Sequence, residues 1–423
     1  MKKKRIYFCG IIGVSALARY YLSQYEVWSD NSDSELIHSL ICEGCDIIIS
    51  DENRITNELE KIIYSEAVPL SQKELSKKEL DIPLLKYSQG LEIVNEYNLI
   101  AVTGTHGKST TSSMISQILK NSRENFVSIV TLLKEFEKNF YRREDRNLFV
   151  IEACEYKEHF LAYKPLVVIT NIEYDHADFF KTPESYVLAF KKFIDNIKPG
   201  FCLLPGDDSN AQSLHSIRED INYISVFDYF EFEAEKVFFP KIILHIPNHI
   251  LFDAKLAYIV GHLVIDEITV LESLEEYSGV WRRMEKIYTK NNNLLMSDYG
   301  HHPTEVLKTL SALKENPEKK LFVVFQPHQY SRTIELLEGF KDAFVDADSL
   351  LIPNIYESRD SQEDKNKMNT DIFVEHIHHS KISNQLDNSV KLIENYDDEH
   401  PNSSIILLLA NVDTLRYKIK TEL

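Results

Sequence analysis

Leu99-Ile100-Ala101-Val102, followed by Thr103-Gly104-Thr105-His106-Gly107-Lys108-Ser109-Thr110-Thr111, decides the fold. The first four residues are a short apolar run of the kind that forms a buried parallel strand. After the glycines, Met114, Ile115, Ile118 and Leu119 recur at helical spacing. Strand, glycine loop and helix start follow one another without a gap. That order aims backbone N–H groups and the positive end of a helix dipole at an anion. Lys108 adds a point charge for the outer phosphates, and the Ser109 hydroxyl can reach a magnesium ion. The longer Walker spacing would want glycine at 102, where this chain has Val102, so the loop is the shorter form Gly104–Ser109. It commits the protein to a nucleoside triphosphate.

The chain of 423 residues is long enough for two to four domains, each with its own core. A net charge of −19 argues against a general nucleic-acid role and against anionic membrane surfaces. No apolar run reaches the length of a membrane span, so no membrane insertion is expected. Five cysteines, odd in number and scattered, suit a reducing compartment. Cys42-Glu-Gly-Cys45 has metal-pair spacing but no second pair, and it reads as a helix end at Gly44. His376, His378 and His379 read as a solvated helix face. The N-terminus, Met1 to Arg5 followed by an apolar stretch, imitates a secretory signal. The competing pattern is strand Ile6–Cys9, a Gly10-Ile-Ile-Gly13 turn, a helix from Val14 to Ser23, and a strand Glu26–Trp28 that ends in Ser29-Asp30. An acidic residue there would meet a ribose or similar group. This second reading, with the triphosphate loop downstream, makes a cytoplasmic protein the expectation.

Alternating strands and helices divide the chain into three α/β units. Residues 1–95 form a small Rossmann-like unit, with strands at 46–49, 61–64 and 82–85. Residues 96–281 form a central P-loop ATPase-type unit, with strands at 148–152 and 166–170. At 222–246 the period shifts towards 2 with Phe and Tyr dominant, which predicts a few antiparallel strands, and a helix follows at 250–264. Gly279-Val-Trp-Arg-Arg283 reads as a junction. Residues 282–423 form a C-terminal Rossmann-like unit, with strands at 294–297, 321–325, 349–352 and 405–409. The acidic, Asn-rich stretch Ser358–Asn369 is expected to be an exposed loop.

Polar residues at strand ends are the candidate chemistry, because ligands of open parallel sheets sit at the carboxyl ends of the strands. Glu152 and the cluster Asn171-Ile-Glu173-Tyr-Asp175-His176-Ala-Asp178 would flank the phosphate loop. A carboxylate and an imidazole there could hold magnesium between a nucleotide and a substrate oxyanion. The C-terminal unit adds Ser297-Asp298-Tyr299-Gly300-His301-His302-Pro303-Thr304-Glu305 and Phe325-Gln-Pro-His328-Gln-Tyr-Ser-Arg332-Thr333. Pro303 suits a first helical turn. Arg332 can grip a carboxylate bidentately.

With these motifs in this order, the chain resembles the Mur ligase family, and within it the alanine-adding members. Thr103–Thr111, Glu152–Tyr156, Asn171–Asp178, Arg282-Arg283, Asp298–Glu305, Phe325–Thr333 and Tyr356–Arg359 look like its successive signatures. The resemblance implies a UDP-sugar-binding first domain, an ATP-binding central domain and a third domain that swings in with the amino acid. ATP would phosphorylate the lactyl carboxylate of UDP-N-acetylmuramate, and L-alanine would attack the acyl phosphate. ATP would lie on Gly104, Thr105, His106, Gly107, Lys108, Ser109 and Thr110, with Asn171, His249, Asp253 and Arg283. Mg2+ would take Ser109, Glu152 and His176. Lys108, Glu152, His176, His301, His328 and Arg332 would carry catalysis. Gly10, Gly13, Ser29 and Asp30 would meet the UDP-sugar, and Tyr299, His301 and Arg332 the third substrate.

The chain departs from the family at Val130-Thr131-Leu132, where a Gly-Gly pair is usual, and at Ile250 and Asp253, where asparagines contact adenine. Ala410-Asn-Val-Asp413 replaces a glycine-rich turn. Two alternatives therefore stay open: a Mur-type ligase with another amino acid or UDP-sugar, and a weakened nucleotide-binding scaffold.

Overall fold

A computed structural model describes residues 4–30, 35–48, 58–65, 82–133, 138–143, 148–233, 248–280, 282–291, 293–314, 318–357, 360–377, 382–383 and 389–410. Three sheets follow one another along the chain. The first has the order β3-β2-β1-β4-β5 and is parallel throughout. Its strands are β1 (Arg5–Cys9), β2 (Glu26–Asp30), β3 (Asp46–Ile48), β4 (Leu59–Tyr64) and β5 (Leu84–Lys86).

The second sheet has the order β12-β11-β10-β6-β9-β7-β8. It comprises β6 (Asn98–Thr103), β7 (Phe126–Leu133), β8 (Lys138–Arg142), β9 (Leu148–Glu152), β10 (Leu166–Ile169), β11 (Gly200–Leu204) and β12 (Ile221–Ser225). β6 lies between β9 and β10, with Val102 opposite Glu152 and Thr103 opposite Ile169. This register sets the phosphate loop between two other strand ends, at the switch point where parallel sheets bind ligands.

Both faces of β6 are covered, which is why its sequence is a continuous apolar run. Leu99 and Ala101 point to one core, and Ile100 and Val102 to the other. The first core is shared with the N-terminal sheet: Ile6, Phe8, Leu17 and Tyr20 pack in one cluster with Leu99, Val127 and Phe149. Polar ties reinforce it, with Arg19 donating to Asn139 at 2.6 Å and the Tyr20 and Tyr97 hydroxyls 2.8 Å apart. The first two sheets thus form one body.

The helix Lys108–Asn121 packs its apolar positions against the helix Asn248–His262. Its serines are buried as well, and Ser112, Ser113 and Ser116 return their hydroxyls to carbonyls three or four residues back. That local bonding is what lets so polar a helix sit inside the protein.

The third sheet has the order β13-β14-β18-β15-β16-β17. Its strands are β13 (Glu285–Lys290), β14 (Asn293–Asp298), β15 (Lys320–Gln326), β16 (Ser349–Leu351), β17 (Ile382–Ser383) and β18 (Ser404–Ala410). Only β13 runs antiparallel to its neighbour. Asp298 pairs with Leu409 and Gln326 with Ala410, so both polar clusters of this unit emerge from the same sheet edge. Among the described residues, its cores contain none from the first two sheets.

Three expectations need correction. β12 is a single strand parallel to β11, and Val226–Glu233 is a helix rather than further strand. The remainder of that stretch, 234–246, lies outside the described residues. The Gly10–Gly13 turn is shorter than expected, because Gly10 (φ 70°) caps a helix that starts at Ile11 and Gly13 lies in its first turn. Gln362–Lys367 forms a helix where a loop was expected, since Ser361 and Asp364 make a reciprocal capping box. His376 ends a helix and contacts Glu338 at 2.8 Å, while His378, His379, Ser358, Arg359 and Asn411–Asp413 lie outside the described residues.

Candidate functional site

Gly104 (φ 128°) and Gly107 (φ 79°) have left-handed backbones, and neither has room for a side chain. A Cβ on Gly104 would stand 2.2 Å from Thr170 Oγ1, and one on Gly107 would stand 2.3 Å from Asp253 Oδ1. Gly107 caps the helix Lys108–Asn121 without a side-chain bond, so the helix start is open for an anion.

Asn171 braces the loop by accepting from the His106 N–H at 3.0 Å and donating to the His106 carbonyl at 3.0 Å. The Thr105 hydroxyl donates to the Glu173 carbonyl at 2.6 Å. These two expected nucleotide contacts shape the loop from behind.

Lys108 folds back over its own loop. Its Nζ donates to the Thr105 carbonyl at 2.9 Å and to Glu155 Oε1 at 3.3 Å. Glu155 is 1% exposed. Burial opposes both charges, yet each group holds the other ionised. Glu155 raises the lysine pKa, and Lys108 with His176 lowers that of the carboxyl.

Ser109 Oγ donates to Glu152 Oε1 at 2.9 Å, so two of the three expected magnesium ligands meet directly. The third, His176, has a left-handed backbone (φ 59°) and faces Glu155, with Nε2 3.4 Å from Oε1. Hydroxyl and carboxylate oxygens are the donor set a hard cation takes, and among the described residues Glu155 Oε2 has only the Lys108 ammonium beside it, at 3.1 Å, with no hydrogen bond of good geometry. Ser109, Glu152 and Glu155 therefore fit magnesium. Glu155 was not assigned a role from the sequence alone, since it lies three residues beyond a strand end.

The third sheet completes the site across a polar seam. The Arg332 guanidinium donates to Asp175 from Nε at 3.1 Å and to His176 Nδ1 at 3.1 Å. Asp175 is held well below the usual carboxylate range: burial alone would raise it, and Arg332 reverses the sign. His106 sits between Glu173 (3.1 Å) and Glu305 (3.2 Å), and the Thr304 hydroxyl donates to Glu173. Burial would lower the His106 pKa, but the two carboxylates raise it to about 9. It is an imidazolium at neutral pH.

His301 points Nδ1 at the Tyr299 carbonyl (3.0 Å), and its ring lies 6.0 Å from that of His328, which stacks on Tyr356 at 5.4 Å. Burial and the Arg332 charge lower its pKa to about 3, so it is neutral. Tyr299 lies under the guanidiniums of Arg282 and Arg283, at 4.6 and 5.6 Å.

A cavity of about 730 Å³ opens beside the loop, lined by Thr110, Asn171, His249, Asp253, Arg283 and Lys308 among others. Of the named residues, all but Lys308 were expected at the nucleotide. Burial raises the Asp253 carboxyl to about 8 and, with Lys308, lowers His249 to about 4. Both face the cavity in neutral form.

The first sheet offers less. Gly10 follows the end of β1. Ser29, expected at the UDP-sugar, is fully buried and donates to the Phe8 carbonyl at 3.0 Å, so its hydroxyl holds β2 to β1 instead. Asp30 ends β2, and its side chain lies outside the described residues.

Residues 102–243 match the family model of the Mur ligase middle domain, and 282–408 that of the Mur ligase glutamate ligase domain. A UDP-N-acetylmuramate–L-alanine ligase of Clostridium botulinum is 32% identical over 390 residues, covering 85% of this chain and 84% of that one. The enzyme of the same name from Clostridium novyi is 35% identical over 84% of each chain. The crystal structure of the UDP-N-acetylmuramate–alanine ligase of Thermotoga maritima superposes with a TM-score of 0.75 at 20% identity, covering 99% of this chain and 98% of that one. A murein peptide ligase from Psychrobacter arcticus gives a TM-score of 0.70 at 18% identity, with 99% and 98% covered.

Proposed function

Because this chain belongs to the Mur ligase family, we propose that it joins L-alanine to the lactyl carboxylate of UDP-N-acetylmuramate at the cost of ATP. One observation carries the reading. The phosphate loop, with Lys108 and Glu155, and the third sheet's Arg332, His301 and His328 face one another across a single seam tied by the Arg332–Asp175 pair.

A carboxylate resists attack by an amine, so the reaction needs a better leaving group than oxide, and phosphorylation by ATP supplies one. Lys108 leaves its loop carbonyls for the outer phosphates and offsets charge as the phosphoryl group moves. Ser109, Glu152 and Glu155, with His176 beside them, would hold magnesium, which would supply charge neutralisation at the phosphates. Asn171 and Thr105 keep the loop in register. Arg332 is the group suited to the amino acid's carboxylate, by the same fork that now grips Asp175. Neutral His301 can accept from the incoming amine without repelling it. Docking of the third unit keeps water from the acyl phosphate.

The test is phosphate release with ATP, Mg2+, UDP-N-acetylmuramate and L-alanine, each omitted in turn. Release that requires all four and disappears in Lys108→Ala is expected. Release that ignores L-alanine, or that survives the substitution, overturns the assignment.

A further inference from the structure

Three side chains that the phosphoryl-transfer chemistry does not use as ligands converge on the seam: His106, Glu173 and His302. Their ligand atoms lie within 4.8 Å of one another. His106 Nε2 is 3.1 Å from Glu173 Oε2, His302 Nδ1 is 3.8 Å from Glu173 Oε1, and the two imidazole rings are 4.8 Å apart.

A second layer orients them. Glu305 Oε1 lies 3.2 Å from His106 Nδ1 and so turns Nε2 towards the cluster. The Thr304 hydroxyl donates to Glu173 Oε1 and fixes that carboxylate. A carboxylate on the far nitrogen of an imidazole is what steadies a metal-bound histidine and strengthens it as a donor. His302 is 4% exposed, yet among the described residues its Nε2 finds no hydrogen-bond partner, and Nδ1 accepts a long bond, 3.3 Å, from the Thr304 N–H. This buried ring is weakly held and can turn towards an ion.

We propose that His106, Glu173 and His302 form a binding site for a divalent transition ion of the zinc class, one that fastens the third unit over the phosphate loop and inhibits turnover. Two imidazoles and one carboxylate suit zinc, with water in the fourth position, whereas magnesium prefers an all-oxygen shell. Zinc bonds of about 2.0–2.1 Å bring tetrahedral ligand atoms to about 3.4 Å from one another, so the cluster must contract slightly. On binding, the proton on His106 Nε2 leaves to solvent and the ion takes the lone pair. Two ligands, His106 and Glu173, belong to the central unit and one, His302, to the third. The ion therefore bridges the bodies, and a bridged seam cannot open to exchange nucleotide. Binding itself is independent of the proposed reaction; only the inhibition rests on it.

The experiment titrates the full chain with Co2+ and with Zn2+ in excess Mg2+, which fills the oxygen-ligand sites. One ion per chain is expected, with visible cobalt bands of nitrogen and oxygen ligands and no thiolate charge-transfer band. His302→Gln should weaken binding at least about tenfold. Cys42→Ser should leave it unchanged, because that residue is exposed at the end of the helix Glu35–Cys42 in the first unit. Equimolar Zn2+ should slow phosphate release by the unsubstituted chain and leave the rate of His302→Gln at its own metal-free value. A thiolate band, loss of the ion in Cys42→Ser, or unweakened binding in His302→Gln overturns the site. Should His302→Gln fail to fold, Glu173→Gln makes the same test, since that side chain is 39% exposed.

Discussion

Arg332 Nε stands 3.1 Å from Asp175 Oδ1, and the same guanidinium reaches His176 Nδ1 at 3.1 Å, so one side chain of the third sheet unit holds two consecutive residues of the second. Side-chain exposure is 12% for Arg332 and 6% for Asp175. Removing one partner of a buried pair costs about 3–5 kcal/mol, because the other charge is stranded. Here that cost falls on docking between units rather than on either core. Arg332→Ala should lower phosphate release at least about 100-fold and leave ATP-induced thermal stabilisation intact. Arg332→Lys should recover little, since an ammonium cannot make the fork. The readouts are steady-state kinetics and a melting curve with and without ATP.

The seam should weaken in alkali. The His106 pKa is raised from 6.5 to about 9 in the folded protein. A raised histidine contributes stability fully present below pH 6.5 and lost as pH rises through about 9. Glu173, lowered from 4.5 to about 2, contributes stability that is present above pH 4.5 and fades as pH falls towards about 2. Between pH 6.5 and 9 the radius of gyration measured by small-angle scattering should grow, and His106→Gln should flatten that dependence.

Asp253 predicts a second pH effect with a different readout. Burial raises its carboxyl from 3.8 to about 8, so the ionised form that appears above pH 8 is disfavoured in the fold and lies beside Gly107 of the phosphate loop. Nucleotide affinity should fall above pH 8 in the unsubstituted chain. Asp253→Asn should remove the fall, with a gain of about tenfold at alkaline pH, or roughly 1.4 kcal/mol. Equilibrium titration with ATP at two pH values measures it.

Backbone strain offers a third kind of test. Gln329 has φ 75° and ψ 129°, a region costly for any residue with a Cβ, and it is 4% exposed between His328 and Tyr330. Its N–H donates to the Tyr356 carbonyl at 2.9 Å, and its carbonyl receives the Thr333 N–H at 3.0 Å. Gln329→Gly should stabilise the third unit by about 1 kcal/mol in urea unfolding, the strain released being partly offset by chain entropy. Gly104→Ala should do the opposite and abolish ATP binding, because φ 128° and the contact with Thr170 leave its methyl no place.

Legibility followed the range of the interactions. The phosphate loop could be read because glycine conformation, lysine charge and helix start are neighbours in sequence. Glu152 could be read because it ends an apolar strand. The partners of His106 could not: Glu173 and Glu305 lie 67 and 199 residues on, the first brought to the ring by the pairing of β6 with β10 and the second by the docking of the third unit. The bond from Ser29 to the Phe8 carbonyl could not be read, because a strand-end serine looks the same whether it faces a ligand or a neighbouring carbonyl. The helix Val226–Glu233 was missed because alternating aromatics imitate a strand, although β11 and β12 already close that edge. The helix Gln362–Lys367 could have been found, since Ser361 and Asp364 have capping-box spacing.

The tie between His106 and Glu305 also bears on the order in which products depart. The phosphate loop is hooked to the third unit by one of its own residues, so the spent nucleotide stays confined while that unit is docked. The new amide should therefore leave together with, or before, the diphosphate. The ceiling on turnover should then follow the parting of the two bodies rather than the making of the bond.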